Sequence, residues 1–264
     1  MSILRPILGG GQASSALPDG ATAVTQPNTD KSNKIATTEF AWNLPAWQHL
    51  PDNTAVGGNA RGANAVDWQS QRSAASQVAS GLASVIGGGI GNTANSRVAW
   101  VPGGERASTR GIHGKGAWAS GAFSADGDAQ AGEHVLRRVT TDSGQVVLTS
   151  DGGAAGFANI VNLPPNGSAL VTVMVIARQI GGAAGAIGDS ACWERRQLYK
   201  RLGSGQALQV NNNGGKLFGD ASTAAWALSF GVDGPNFGLT LIVQGEADKT
   251  ILWVARVLSV EVIG

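Results

Sequence analysis

From about Ala131 onward, short runs of β-branched and aromatic residues alternate with short polar separators. The runs "EHVLRRVTT", "QVVLTSD", "ALVTVMVIARQI", "CWERRQLYKRL", "ALQVNN", "AWALSFGVD", "FGLTLIVQGE" and "ILWVARVLSVEVI" each predict a strand. Between them lie "SG", "PPNG", "GGAAGAIGD", "GSG", "NNNGG", "DGPN" and "EADKT", all rich in turn formers. This spacing predicts an antiparallel β-sandwich, jelly-roll-like, over residues 131–264. The last run is almost continuously apolar, interrupted by Arg256 and Glu261, and so predicts burial on both faces, by the opposing sheet and by a neighbouring subunit.

Residues 51–130 follow another pattern. In "ASVIGGGIGNTANSRVAWVPGGERAS" an offset of sixteen residues aligns "SVIGGG" with "WVPGGE" and Thr93 with Thr109. Short strands with glycine corners at a near-constant interval predict a short β-solenoid or β-prism. So few repeats cannot cap and bury their own core, which favours three copies wound around one axis. On that reading Gly87, Gly88, Gly89, Gly103 and Gly104 line a crowded threefold axis, while Val85, Ile86, Val98 and Val101 are buried. Residues 1–50 read as an extended arm with one short helix, capped by Thr37 or Thr38, anchored by Phe40 and Trp42 and stopped by Pro45.

Composition sharpens this picture. Glycine is 39 of 264 residues and charged residues are 14%, about half the usual charged share. The surface must therefore be mostly small and polar. A net charge of +1 provides no field for gathering nucleic acid. One cysteine, Cys192, excludes an internal disulfide and reads as a small apolar residue. No apolar run is long enough to span a membrane, and the N-terminus reads as no secretory signal, so synthesis in a cytosol is expected.

Sites for chemistry are few. "GIGNTA" (Gly89–Ala94) fits a dinucleotide pattern, but a strand ending at Pro102 follows it where a helix is required. "GKG" and "GGK" lack the rest of a phosphate loop, and the "GDS" at Gly188–Ser190 has no histidine near it in sequence. His49, His113 and His134 lack metal-ligand spacing, although a trimer would bring three copies of His113 to its axis. Asp126 and Asp128 could form a glycan-cleaving carboxylate pair, but "ADGDAQAGEH" reads more simply as a turn. No cofactor, metal or catalytic residue is assigned. Trp193, Trp226 and Trp253 fall in predicted strands and read as core or interface anchors. Trp193 and Tyr199 flank Arg195, Arg196, Lys200 and Arg201, the densest positive cluster. That cluster is a solvated strand face, a contact for an anionic glycan, or a salt-bridged subunit seam.

Two stretches resemble parts of phage tail fibres and spikes. "DKSNKIATTEFAW" resembles a short element, "GDNSTKIATTAFV", that recurs in phage tail-fibre proteins. The glycine-rich run from Ser84 through "GAWASGAFSADGDAQAGEHVLR" is similar to trimeric adhesin heads and to C-terminal portions of phage fibres, and the terminal strands resemble their end domain. The likeness spans roughly residues 28–43 and 60–264 but keeps few shaft repeats. It implies a homotrimeric virion appendage without enzymatic activity. Its N-terminal part would meet other tail or baseplate proteins, with Ile35, Phe40 and Trp42 as contacts. Its C-terminal part would bind a bacterial surface glycan or protein receptor through Trp193, Arg195, Arg196, Tyr199, Asp189, Asn211, Asn212, Asn213 and Asn236. No contact with nucleic acid and no membrane insertion is expected. A head fibre or adaptor, and a glycan-degrading tailspike, are the alternatives.

Overall fold

The structure, a computed structural model, describes residues 51–205 and 207–264, without the side chains of 207–212. The N-terminal arm, its helix and Ile35, Phe40 and Trp42 lie outside the described residues. What is described is mainly β, with no α-helix and a single 3-10 turn at Ala221–Thr223.

Four short rungs, β1 (Val66–Asp67), β2 (Val85–Ile86), β3 (Trp100–Val101) and β4 (Gly116–Trp118), pair in parallel in that order. A second column of parallel bridges joins Gln71, Ile90, Glu105 and Ser120. The same turn precedes every rung. The amides of Ala65, Ser84, Ala99 and Lys115 donate to the carbonyls of Gly62, Gly81, Ser96 and Ile112. The third residue of each turn, Asn64, Ala83, Val98 or Gly114, has φ of 57°, 52°, 48° or 67°, the sign that a type II turn needs there.

The register corrects the expected offset. Val85 faces Trp100, Ile86 faces Val101 and Thr93 faces Ser108, an offset of fifteen rather than sixteen. Only at fifteen does buried Ile86 stack on buried Val101, and a one-residue slip would turn one of them outward. The same register superposes Gly89 (φ 87°) on Gly104 (φ 90°). A Cβ on these two would lie 2.0 Å from the Gly104 oxygen and 2.2 Å from the Ala119 oxygen, both in the following rung. One on Gly87 would lie 2.7 Å from the Pro102 oxygen, whereas Gly88 and Gly103 have nothing within 4 Å. At Gly87, Gly89 and Gly104, then, the crowding arises within one chain.

The stack encloses mainly alanines, with Ile86 and Val101 the larger members of its core. Within this one chain Val85 and Val98 are exposed, Val85 alternating outward and Val98 occupying the turn corner, so their expected burial would have to come from other copies. A buried amide organises the interior. Asn92 Nδ2 donates to the Gly88 and Gly104 carbonyls at 3.1 and 3.0 Å, and its Oδ1 accepts from the Ala107 amide at 2.9 Å. On the first rung, buried Asp67 lies 3.2 Å from Arg61 and 3.1 Å from Arg72.

After β4 the sheet continues into long antiparallel strands. They are β5 (Ala129–Thr140), β8 (Gly167–Gly181), β9 (Ser190–Arg201), β10 (Ala207–Gly219) and β13 (Thr250–Ile263), and the full order is β1-β2-β3-β4-β5-β13-β8-β9-β10. A smaller sheet combines β6 (Gln145–Val147), β7 (Val161–Asn162), β11 (Ala227–Asp233) and β12 (Gly238–Gln244) around β12. "NNNGG" is not the expected turn, because β10 runs through it with a register shift between Gln209 and Asn212. Gly214 permits this, since its φ is 106° and a Cβ would lie 2.2 Å from the Glu194 oxygen.

Both sheets supply one apolar core, with Val171, Val173, Trp253 and Val257 from the large sheet and Leu228, Leu239, Leu241 and Val243 from the small one. Trp253 sits 5.4 Å from Trp193 and 6.0 Å from Trp226 between ring centroids, and its indole donates to Thr140 Oγ1 at 2.9 Å. Alternate positions of β13 point the other way. Leu252, Val254, Val260 and Val262 are exposed, so within one chain β13 is buried on one face and not on two.

Candidate functional site

The residues expected to meet a receptor do not converge. Trp193 and Tyr199 lie in the core, at 3% and 0% exposure, and present no ring to solvent. The Tyr199 hydroxyl donates to the Phe237 carbonyl, and burial pushes its pKa up to about 12. The positive cluster is divided by strand alternation. Arg195 and Arg201 share the inward parity of Trp193 and Tyr199, with their guanidinium carbons 5.9 Å from the Phe230 ring and 4.3 Å from the Phe237 ring. Arg196 points outward, 3.5 Å from Glu194.

The candidate loops also separate. Asp189 accepts the Ser222 hydroxyl, which with the Ala186 amide holds its carboxyl below the usual range. Asn236 binds Asp233 at 2.9 Å in the β11–β12 turn, beside Phe237 and thus near Tyr199 and Arg201. Asp189 and Asn236 therefore mark opposite ends of the long strands. Asn213 is exposed on β10, while the side chains of Asn211 and Asn212 are outside the described set.

The acidic pair is tied into structure. Asp126 Oδ1 receives Arg106 Nε and its Oδ2 receives Gln77 Nε2, each at 2.7 Å. Asp128 gathers the amides of Phe123, Ser124 and Ala125 at 2.6–2.9 Å. Burial would raise its pKa, but those amides outweigh it and bring it down to about 2. In "GDS" the Ser190 hydroxyl donates to the Gly188 carbonyl at 2.8 Å.

Sequence reasoning missed the charged junction where the rungs meet the long strands. Glu261 on β13 is fully buried and takes Lys115 Nζ at 2.9 and 3.1 Å, Gln130 Nε2 at 2.8 Å, Ser259 Oγ at 2.7 Å and the Arg110 guanidinium. Burial pushes its carboxyl up, yet Lys115, Arg110 and the two hydrogen bonds hold it well below the usual range. Burial also pushes Lys115 down, to about 8, against the opposing pull of Glu261. Neighbouring His134 has neither ring nitrogen bonded, and burial, followed by Lys115, pushes it down to about 3. The only sequence signal was Glu261 itself, an acid on the inward parity of an apolar strand.

The surface feature that dominates is the outer face of the large sheet. Val135 and Val139 on β5, Leu252, Val254, Val260 and Val262 on β13, and Leu170, Met174, Ile176 and Ile180 on β8 are all at least partly exposed. The face extends onto the rungs through Trp68, Val85, Trp100 and Trp118. Trp100 and Trp118 border an apolar hollow of about 140 Å³ floored by Gly116, Ala117 and Gly132 and closed by Leu258. Gly116 keeps it open, because a Cβ there would lie 2.6 Å from the Trp100 ring. A monomeric protein rarely leaves such a face uncovered.

No family model and no curated protein matches the chain. Among solved structures it is similar to the tailspike protein of Acinetobacter phage vB_ApiP_P1, with 12% identity and a TM-score of 0.25 over 70% of this chain and 42% of that one. It is likewise similar to the tailspike protein of Acinetobacter baumannii phage AM24, with 12% identity and a TM-score of 0.21 over 68% and 40%. The chain spans about two fifths of the tailspikes it matches. These neighbours are, at a coarse level, phage tail components. The expectation that the chain lacks enzymatic activity is corrected on the same finding: its neighbours are tailspikes, the class of the glycan-degrading alternative.

Proposed function

We propose that this chain is a subunit of a phage tail appendage that assembles as a homotrimer around the outer face of its large sheet. In this reading the rungs are a short solenoid and the two sheets beyond them a sandwich that meets a glycan or protein of the bacterial surface. Residues 1–50 attach to other tail or baseplate proteins, so the chain acts as a virion component. Three weak contacts displayed together then multiply their effect.

One observation carries the proposal: the outer face is apolar, broad and unpartnered among the described residues. β13 and β5 pair over twelve residues. With strands about 4.8 Å apart and a rise of about 3.4 Å per residue, three strands of that length present roughly 600 Å². Trp68, Trp100 and Trp118 widen it toward the roughly 800 Å² per partner of a standard interface. The occupant is a further copy of the same chain. Within the face Arg256 binds Glu133 at 2.7 Å, while Arg137 and Arg178 share the outward parity. A closed ring of three copies needs one part of this face to meet a different part on the next copy, a heterologous contact.

Light scattering on the purified full chain tests this. The expected mass is three times 26.8 kDa, and Val254→Arg combined with Val260→Arg is expected to reduce it to a folded monomer. A wild-type chain that is already a stable monomer refutes the assembly. Assay of soluble sugar released from host polysaccharide then decides whether a bound glycan is also cut.

A further inference from the structure

A cleft of about 280 Å³ opens where the turn corners of the rungs meet the edge of β5. Arg97, Val98 and His113 come from two successive corners, Val135 and Arg137 from β5, and Ser150 and Asp151 from the loop after β6. Backbone bonds hold these walls together. The His113 amide donates to the Ala158 carbonyl at 2.7 Å, and Arg137 and Thr149 exchange bonds of 2.9 and 3.4 Å.

The acid and the bases of this cleft are used differently. Asp151 is committed to its own loop, accepting the Gly153 amide at 2.9 Å, Asn159 Nδ2 at 2.9 Å and Thr149 Oγ1 at 3.1 Å. The Gly153 amide, with Asn159 and Thr149, holds its carboxyl below the usual range against the opposing effect of burial. The guanidinium groups keep capacity to spare. Arg137 uses one nitrogen, on the Asp151 carbonyl at 3.0 Å. The Arg97 carbonyl accepts the Gly114 amide at 3.0 Å, but its guanidinium has no hydrogen bond or ion pair among the described residues. The Ser150 hydroxyl oxygen is out of contact with solvent and meets no partner.

We propose that this cleft binds the carboxylate of an acidic sugar. Arg97 and Arg137 supply fork-shaped donors for a planar carboxylate. His113 lines the cleft where a neighbouring sugar hydroxyl would lie, and Val98 and Val135 provide an apolar wall for the C–H face of the ring. Two guanidinium charges against one committed carboxylate leave about one positive charge, which suits a monoanion better than a doubly charged phosphate. A role for the cleft in holding acidic surface glycan rests on the appendage reading. Val135 and Arg137 lie at the rim of the outer face, on the stretch of β5 that β4 does not pair, so the assembly must leave the cleft open. The Val254→Arg, Val260→Arg chain, expected to be a monomer, tests free uronate binding apart from assembly, so the two fail separately.

Calorimetric titration of the full chain with sodium glucuronate, glucose and inorganic phosphate tests the site. Glucuronate is expected to saturate, with glucose at least roughly tenfold weaker, because a hydrogen bond to a charged group is lost. Arg97→Ala removes an exposed, unpartnered side chain, leaves thermal unfolding unchanged and is expected to weaken glucuronate about tenfold or more. Arg97→Lys retains the charge but not the fork and is expected to fall between. Equal affinity for glucose and glucuronate, absence of saturable glucuronate binding, or an unaffected Arg97→Ala overturns the site. Phosphate binding tighter than glucuronate overturns the ligand class.

Discussion

Glu261→Gln isolates the energetics of the charged junction. The substitution preserves shape and removes one charge, leaving Lys115, which is fully buried, and Arg110, which is mostly so, without a counter-ion. Removing one partner of a buried ion pair typically costs about 3–5 kcal/mol, a large part of a total stability of roughly 5–15 kcal/mol. The Trp193–Trp226–Trp253 group provides a fluorescence probe buried in the core. In urea at pH 7, with a slope of about 2–3 kcal/mol per molar, the midpoint is expected to fall by about 1–2 M. Pairing Glu261→Gln with Lys115→Met removes the Lys115–Glu261 pair, leaving only the mostly buried Arg110 charge, and is expected to recover about 2 kcal/mol or more, a positive coupling in a double-mutant cycle. A single-variant loss below about 1 kcal/mol, or strict additivity of the two substitutions, refutes the view that these charges hold one another in place.

Stability should also respond to acid through His134. Its folded pKa is held to about 3 and an unfolded histidine titrates near 6.5, so between these pH values the unfolded chain binds more protons and stability rises with pH by up to about 1.4 kcal/mol per unit. Glu261, held low in the fold, adds a dependence of the same sign below the ordinary carboxylate range; His134→Leu should flatten the slope between pH 5 and 6.5, and urea midpoints that keep their slope refute it. Gly89→Ala and Gly104→Ala place a methyl within 2.0 and 2.2 Å of a carbonyl oxygen at a positive φ and should each lower the midpoint clearly, by about 1–3 kcal/mol. Gly234→Ala, with open space around it, should be within about 1 kcal/mol of wild type. Urea titrations that rank the three variants equally would remove the proposed reason for these glycines.

What could be read in the chain, and what could not, follows from the range of each interaction. Long β-branched runs such as Gly167–Gly181 and Thr250–Ile263 announce themselves, because burial alternates along one strand. The rungs were visible as a repeat, but their register was misread by one residue. Its markers, Asn64, Ala83, Val98 and Gly114, share a backbone angle and not a residue type. Asn211–Gly215 resembles a turn in composition; the demand for Gly214 comes from the Glu194 carbonyl on the adjacent strand. Trp193 and Tyr199 were correctly placed on a strand, yet only the second sheet decides that their side is the inner one. The cleft of Arg97, Arg137 and Ser150 joins three distant segments and has no local signature at all.

The junction also has a mechanical meaning. The parallel rungs join the long strands through β4 and β5, a ladder of only three residue pairs, where β5 and β13 share twelve. A load drawing the first rung away from the long strands would concentrate its tension at that narrow seam. Lys115, immediately before β4, and Glu261, on the strand beyond β5, clasp the sheet across it. Unzipping the seam therefore requires opening a dry ion pair together with the backbone ladder, so the narrowest part of the sheet need not be its most compliant hinge.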